Sequence, residues 1–309
     1  MRLSDFPECK ALSDIAVPEW MVGAFSRFSI TFANGKCDRS TRVFWLQSES
    51  LTIDLRLPLL NDQLHVVPED YRDPDTLQQR LNYEGWYAKT RWQDEQLSWF
   101  DGTSYQLHNR WPEPARLQRV GDCMMEFAPS GAYVEDWRLL NRQYGPLIGL
   151  ELESEYYPDS GHTLPRRGAL IVCGEYAGLV IGRPGNISVT DEQTLQQWFS
   201  DSTTTAEQRR QMLCFETAVG FGNVQQGFRV IHSLDGNRYG DTLFDPDSFS
   251  AADEAGYIIQ KTQINGRPIE RRFRIDCIHH HWRFEPATSC NEEAQQWLRR
   301  EAATLNRYT

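Results

Sequence analysis

The seven residues Leu51–Leu57, with the sequence LTIDLRL, alternate strictly between apolar and polar side chains. A period of two is typical of a β-strand that lays one face on a core. Pro58 cannot donate a ladder hydrogen bond, so it is expected to end the strand. The pattern therefore predicts a β protein, although it does not specify a chemistry.

Similar runs follow along the chain, separated by the turn signals Asn34-Gly35, Asp101-Gly102, Pro129-Ser130-Gly131 and Gly174-Glu175. The predicted strands of the first half are 28–33, 42–46, 51–57, 83–92, 97–99, 104–111, 122–128 and 132–139. Those of the second half are 147–156, 167–173, 176–182, 211–220, 227–233, 256–264, 269–278 and 280–284. Strands at such short intervals are typical of closed antiparallel barrels.

Two consecutive antiparallel barrels account for this arrangement, so the predicted fold class is all-β. A lead-in at residues 1–27 precedes a first barrel at 28–142, and the second barrel occupies 147–309 after a short linker. Short peripheral helices are predicted at 18–25, 75–81 and 190–200, the last with Thr190 and Gln193 as a capping box. An amphipathic C-terminal helix is predicted at 291–307.

Charge and composition exclude several classes of function. The net charge is −11 and lysine and arginine form no cluster, which argues against a nucleic-acid partner. Apolar runs last only a few residues, far fewer than the roughly 20 that a membrane-spanning helix needs. The seven cysteines form no CxxC pair, and the N-terminus lacks a signal-peptide pattern. We therefore expect a cytoplasmic protein with reduced thiols.

Motifs of nucleophilic and nucleotide-binding enzymes are absent, including GxSxG, the P-loop and GxGxxG. In the tract His279-His280-His281, the first and third side chains would share a strand face with Glu285. Because the tract has no second, regularly spaced group of ligands, we predict neither a metal nor a cofactor. The chain is not assigned as an enzyme on this basis.

The sequence also resembles a family of tandem lipocalin-like proteins, which includes bacterial hypothetical proteins and a fungal casein-kinase-interacting protein. The similar elements of the first half are Trp45-Leu46-Gln47, Asp54-Leu55-Arg56 with Pro58, Gly85, Gly121 with Met124, and Glu135 with Trp137. Those of the second half are 167–176 and 214–231. The resemblance implies two lipocalin-like barrels side by side, and it brings no agreed activity.

Asp54 and Arg56 lie two residues apart and therefore share one face of their strand. They either anchor a ligand inside the barrel, or form an ion pair on its outer face or one that closes the barrel end. The outer face is favoured, because the apolar side chains of the strand would fill a small barrel.

The tryptophans likewise line either a pocket or a core, and the core is favoured. A carboxylate buried among them, such as Glu135, would have a raised pKa and could act as a general acid. The candidate ligand-binding residues are Trp45, Asp54, Arg56, Trp86, Trp92, Glu135 and Trp137.

Three functions are consistent with these patterns. The first is binding of a small lipophilic molecule in a barrel cavity. The second is an enzyme that uses a buried carboxylate on a lipophilic substrate. The third is a protein-interaction module whose barrels are filled by side chains and whose surface binds a partner protein. The sequence does not determine the ligand, the partner or the oligomeric state.

Overall fold

The computed structural model describes residues 1–11, 16–57, 80–185, 193–201, 203–264 and 266–308. All strands in these residues belong to two antiparallel sheets, one in each half of the chain. Three sequence-based predictions fall wholly or largely outside the described residues, namely the strand end at Pro58, the helix at 75–81 and the helix cap at Thr190.

The first sheet closes into a barrel. Its strands are β1 Gly23–Phe32, β2 Cys37–Asp38, β3 Arg42–Gln47, β4 Leu51–Leu57, β5 Glu84–Gln93, β6 Gln96–Ser104, β7 Ala115–Val120, β8 Cys123–Phe127 and β9 Tyr133–Leu139. They pair in the order β1-β3-β4-β5-β6-β7-β8-β9, and β9 returns to pair with β1. The short β2 pairs with the far end of β1. Closure of eight strands around one interior confirms the predicted β architecture and an antiparallel barrel.

The second sheet also has eight antiparallel strands. They are β10 Tyr144–Tyr157, β11 His162–Cys173, β12 Tyr176–Ile181, β13 Glu216–Asn223, β14 Gly227–Ser233, β15 Phe249–Ala251, β16 Tyr257–Ile264 and β17 Arg267–Arg283. Their order is β14-β13-β12-β11-β10-β17-β16-β15. Across the part of the chain that the structure describes, no pairing joins β14 to β15, so this sheet is not closed.

The two sheets pack against each other through the apolar face of β4. Every residue of β4 is buried, and Ile53 belongs to a core cluster that also contains Ile171 and Val180 of the second sheet. A Cβ atom on Gly178 would lie 3.3 Å from Ile53 and from Leu46. Glycine at this position therefore allows close approach of the sheets. Since the apolar face of β4 meets the second sheet, its polar face points into the barrel.

Each end of the chain packs against the distant half. Cys9 forms a β-bridge with Ile278 of β17, and Leu3 is buried in the core of the second sheet. Near the other end, Phe284 joins the core shared with the barrel, and Thr288 accepts a 2.9 Å hydrogen bond from the Gly121 amide. These exchanges tie the two halves together.

The helices are short and lie at the periphery. In the described residues they are α1 Leu195–Ser200, α2 Ala206–Leu213 and α3 Glu292–Leu305, with 3₁₀ turns at Leu3–Asp5, Glu19–Met21 and Gly236–Arg238. The C-terminal helix is confirmed, and α1 starts with a capping box of Thr194 and Gln197. The strand predicted at 211–220 is wrong at its start, because residues 211–213 end α2 and β13 begins at Glu216. No helix in the described ranges is long and apolar enough to cross a membrane.

The turn predicted at Asp101-Gly102, between strands 97–99 and 104–111, is not observed. β5 and β6 are joined at Asp94-Glu95, where both residues have positive φ, and β6 continues to Ser104. Gly102 instead lies within β6, opposite a shift in register of the pairing with β5. A Cβ atom there would lie 2.0 Å from the Tyr87 carbonyl oxygen. The glycine thus marks a bulge and not a hairpin.

The side chain of Asn141, just before the predicted linker, joins the two halves. Its Oδ1 accepts a 2.9 Å hydrogen bond from the Ala24 amide, and its Nδ2 donates to the Cys173 carbonyl at 2.7 Å. Asn141 is buried, so both of these backbone groups depend on it.

Asn141→Ala is expected to lower the free energy of unfolding by about 1–3 kcal/mol, because it leaves buried polar groups unpaired. Urea denaturation followed by tryptophan fluorescence measures this loss. Gln226→Ala, in an exposed turn, is the control and should change stability by less than about 0.5 kcal/mol. Equal stability of the two variants would contradict the role assigned to Asn141.

Candidate functional site

Asp54 and Arg56 point into the closed barrel. Arg56 Nη1 lies 3.3 Å from Glu135 Oε1, although β4 and β9 are not neighbours in the sheet. Such a contact must cross the interior. The favoured expectation of an outward-facing ion pair is therefore wrong. Its premise was that the apolar face of β4 fills the barrel, whereas that face packs on the second sheet.

The interior holds a connected set of charged side chains. Arg56 Nε donates to Asp54 Oδ1 at 2.9 Å, and Arg27 Nη1 donates to Glu135 Oε1 at 2.7 Å. Arg27 also pairs with Asp38 at 2.8 Å. Asp54 is 2% exposed and Glu135 is fully buried. Water screens such pairs weakly, so their charges interact strongly.

Two of the buried carboxyl groups have raised pKa values. Burial raises the pKa of Asp54 to about 6, and this effect exceeds the opposing attraction of Arg56. Burial, followed by repulsion from Glu135, also raises the pKa of Glu126 well above its ordinary value. Glu126 Oε2 accepts a 3.0 Å hydrogen bond from Trp137 Nε1. If Glu126 is neutral, the two positive charges of Arg27 and Arg56 are balanced by the two negative charges of Asp54 and Glu135.

Tryptophans fill the rest of this interior. The ring centroids of Trp45 lie 5.4 Å from Trp137 and 6.5 Å from Trp99, and Trp86 lies 5.9 Å from Trp99. The space left among these rings and the charged groups is about 20 Å³. Such a volume holds about one water molecule, so side chains occupy the barrel core around these residues.

A much larger pocket of about 830 Å³ opens at the mouth of the barrel. Trp86, Trp99 and Trp111 line both this pocket and the inner space. Its outer walls come from β5, β6 and the loop at 105–114, and from Arg167, Arg183 and Gly185 of the second half. The pocket therefore lies where the barrel mouth meets the second sheet, with the charged interior directly behind its tryptophans.

Trp111 covers the charged groups at the mouth. Its ring centroid lies 4.4 Å from the Arg56 guanidinium carbon, and its Nε1 donates to Glu84 Oε2 at 3.0 Å. Tyr133 packs edge-on against the same ring at 5.3 Å. These contacts fix the indole between the pocket and the interior, where it separates the two spaces.

Arg183 supplies a positive charge to the pocket wall. It donates to the carbonyl oxygens of Met212 at 2.6 Å, Ser104 at 2.9 Å and Tyr105 at 2.5 Å. Burial lowers the pKa of Arg183 to about 10. Within the described ranges it forms no ion pair with a carboxylate, and besides these carbonyl oxygens its guanidinium carbon lies 5.5 Å from the ring centroid of Tyr105 and 5.3 Å from that of Phe215.

The structure brings six of the seven candidate residues together around one interior: Trp45, Asp54, Arg56, Trp86, Glu135 and Trp137. Trp92 lies elsewhere and packs edge-on against Trp20 at 5.6 Å. Sequence reasoning missed Arg27 and Glu126. Glu126 lies two residues after Met124, which is buried in the core, so strand alternation could have placed it on the interior face.

In the described residues, His279, His281 and Glu285 do not form one group of possible ligands. Glu285 pairs with Arg283, and His279 lies instead beside Glu49 and Cys277. A metal-ligating set containing the first histidine would therefore come from the β3–β4 turn and β17.

Comparison of the chain with models of protein families, with curated proteins and with solved structures finds no match. Fold and site geometry are therefore the basis on which a function can be argued.

Proposed function

We propose that the protein binds a small, mostly apolar molecule in the pocket at the mouth of the first barrel. The observation that carries this proposal is the 830 Å³ volume with an aromatic lining. Pockets for small molecules usually measure about 300–1,000 Å³ and combine apolar walls with a few polar groups. The expected ligand site thus lies at the entrance, because side chains fill the inner space.

The lining suits a flat ligand. Trp86, Trp99, Phe100 and Trp111 present aromatic surfaces, and Pro112, Pro114, Pro165 and Pro184 add rigid apolar ones. A ligand that stacks on these rings loses little conformational entropy on binding. Arg183, which forms no ion pair with a carboxylate in the described residues, favours a ligand with an acidic group at that end of the pocket.

Native mass spectrometry of the freshly purified protein, with a titration of anilinonaphthalene sulfonate, tests the proposal. This dye combines an apolar aromatic body with one negative charge. Phe100→Ala is expected to weaken its binding about tenfold, because roughly 50 Å² of apolar contact is lost at about 25 cal/mol per Å². Phe100 is 38% exposed, so the substitution should leave the barrel folded.

The matched control is Trp297→Ala on the C-terminal helix, where the side chain is 46% exposed and outside the pocket. It should bind the dye as the wild type does. Equal weakening by both variants, or a folded wild-type protein that carries no ligand and does not bind the dye, would contradict the proposal.

Proton-transfer catalysis is the second candidate, and one observation favours it. Asp54 and Glu126, whose pKa values are raised, lie directly behind the tryptophans of the pocket. A buried carboxyl group of this kind can act as a general acid near neutral pH. If a co-purified ligand is turned over, Asp54→Asn should abolish turnover and retain binding. Retained turnover would exclude Asp54 as the acid.

Three further expectations remain proposals. The closed first barrel supports a lipocalin-like fold. The second sheet also has eight strands, which supports its interpretation as a second, barrel-like unit. All seven cysteines are free, which supports a reducing compartment such as the cytoplasm. The filled interior supports an interaction module, and that function would replace ligand binding if the pocket proved inert.

A further inference from the structure

Three side chains with metal-ligating atoms meet where the barrel contacts the second sheet. They are Glu49 of the β3–β4 turn, and Cys277 and His279 of β17. Their ligand atoms all lie within 4.8 Å of one another, and His279 Nε2 lies 3.2 Å from Glu49 Oε1. Two ligands held about 2.0–2.1 Å from a tetrahedral Zn²⁺ would be about 3.3 Å apart.

The fold fixes these positions. Cys277 and His279 are two residues apart and share a strand face, while Ile278 between them packs into the core of the second sheet. Cys277 is fully buried, and Glu49 is 8% exposed. The His279 side chain is 12% exposed, which leaves this edge of the site near solvent.

Hydrogen bonds orient two of the three groups. Glu49 Oε2 accepts a 2.6 Å hydrogen bond from the Ala11 amide, so Oε1 is turned toward His279. The Glu49 amide donates to Cys277. The Glu49 carbonyl accepts from Val17 at 2.8 Å. Support of this kind around ligating groups is typical of metal sites.

The surroundings favour a cation. Asp276 lies beside the three residues and accepts hydrogen bonds from the hydroxyl groups of Ser48 and Ser50. In the described part of the chain, neither Glu49 nor Asp276 forms an ion pair with lysine or arginine. The partner of Glu49 is His279, which is charged only when it is protonated, so a cation bound here would compensate the buried carboxylate.

We propose that Glu49, Cys277 and His279 bind a divalent cation of the zinc class, with a solvent molecule as the fourth ligand. Carboxylate, thiolate and imidazole together are ligands that Zn²⁺ accepts, and a set of three leaves one position open. The bound ion would join the β3–β4 turn to β17.

Cys9 is close in space but is not part of this set. It pairs with Ile278 across the β-bridge, and its side chain packs against the core of the second sheet, as Ile278 does. Cys9 therefore faces away from Cys277 and His279. It provides a matched cysteine control, and the exposed His281 provides a matched histidine control.

Titration of the untagged full-length protein with Co²⁺, followed by displacement with Zn²⁺, tests the site. The wild type should bind one equivalent and show a thiolate-to-cobalt charge-transfer band that Zn²⁺ removes. Cys277→Ser should abolish the band, and His279→Ala should weaken binding about 100-fold or more, since losing a ligand costs at least as much as losing its support. Cys9→Ser and His281→Ala should bind as the wild type does.

A folded wild-type protein with no stoichiometric uptake of Co²⁺ or Zn²⁺ would overturn the proposal. So would a band that survives Cys277→Ser, or equal loss in His279→Ala and His281→Ala. If Cys277→Ser does not fold, His279→Ala and Glu49→Gln decide the matter, with circular dichroism as the check on folding. Full binding by both of these variants would also overturn it.

Discussion

At pH 9, where Asp54 is ionised in the wild type, Arg56→Met is expected to lower the free energy of unfolding by about 3–5 kcal/mol, the usual cost of removing one partner from a buried ion pair. Arg56 is 8% exposed, and Asp54 and Glu135 are more deeply buried. Arg27 would still compensate Glu135. Asp54 would lose its ion-pair partner in an interior where water cannot replace it.

Denaturation in urea, followed by tryptophan fluorescence, measures this loss. The control is Arg138→Met, which removes a partner of Asp136 on the same barrel. The Arg138 side chain is 44% exposed, so its pair should contribute less than about 1 kcal/mol. A loss below about 1 kcal/mol in Arg56→Met would contradict the interior charge network.

A double variant separates loss of charge compensation from loss of packing. In Asp54→Leu/Arg56→Met the orphaned carboxylate is gone, so the double variant should recover part of the stability lost by Arg56→Met. If it is instead as unstable as the sum of the single variants, the two residues act independently. Their ion pair would then not explain the loss.

The sequence was sufficient to predict many strand positions, because alternation depends on local side-chain burial, but the strand predicted at 104–111 is a loop beyond Ser104 and β7 was not predicted. Leu51–Leu57 is a strand with the predicted bounds, and the hairpin at Gly174-Glu175 lies where the turn signal places it. The direction in which β4 faces could not be predicted. Alternation shows that Ile53 and Asp54 point to opposite sides, but it does not show which side is the barrel interior.

The missing information was the position of the second sheet. Gly178 allows that sheet to approach Ile53 closely, and this contact satisfies the apolar face that would otherwise fill the barrel. The polar face is then left for the interior, where Glu126 and Glu135 meet it. These carboxyl groups come from β8 and β9, far from Asp54 in the chain, so only the closed topology brings them together.

Local signals also failed where tertiary contacts override them. Asp94 and Glu95 adopt positive φ without glycine, while Gly102 is needed for close approach inside a strand. The proposed metal ligands show a related limit. Glu49 is distant in sequence from Cys277 and His279, so spacing rules for metal motifs could not connect them.

The stability of Asp54→Asn relative to the wild type is expected to increase by about 3 kcal/mol as the pH rises from 4 to 7. Burial raises the pKa of Asp54 to about 6, from an ordinary value of 3.8. This difference in pKa between the folded and unfolded states corresponds to about 3 kcal/mol. The folded protein therefore binds more protons than the unfolded chain, and the contribution of Asp54 is greatest below about pH 4. It is lost as the pH rises through 6.

The measurement is the difference in free energy of unfolding between wild type and Asp54→Asn at several pH values. Glu126→Gln should show a gain of the same sign that extends to higher pH, because burial and Glu135 raise the pKa of Glu126 further. If attraction by Arg56 outweighed burial, the pKa of Asp54 would be lowered. Asp54→Asn would then lose stability relative to the wild type as the pH rises. Such a reversal would show that the ion pair outweighs burial, so that Asp54 stays ionised and cannot serve as an acid near neutral pH.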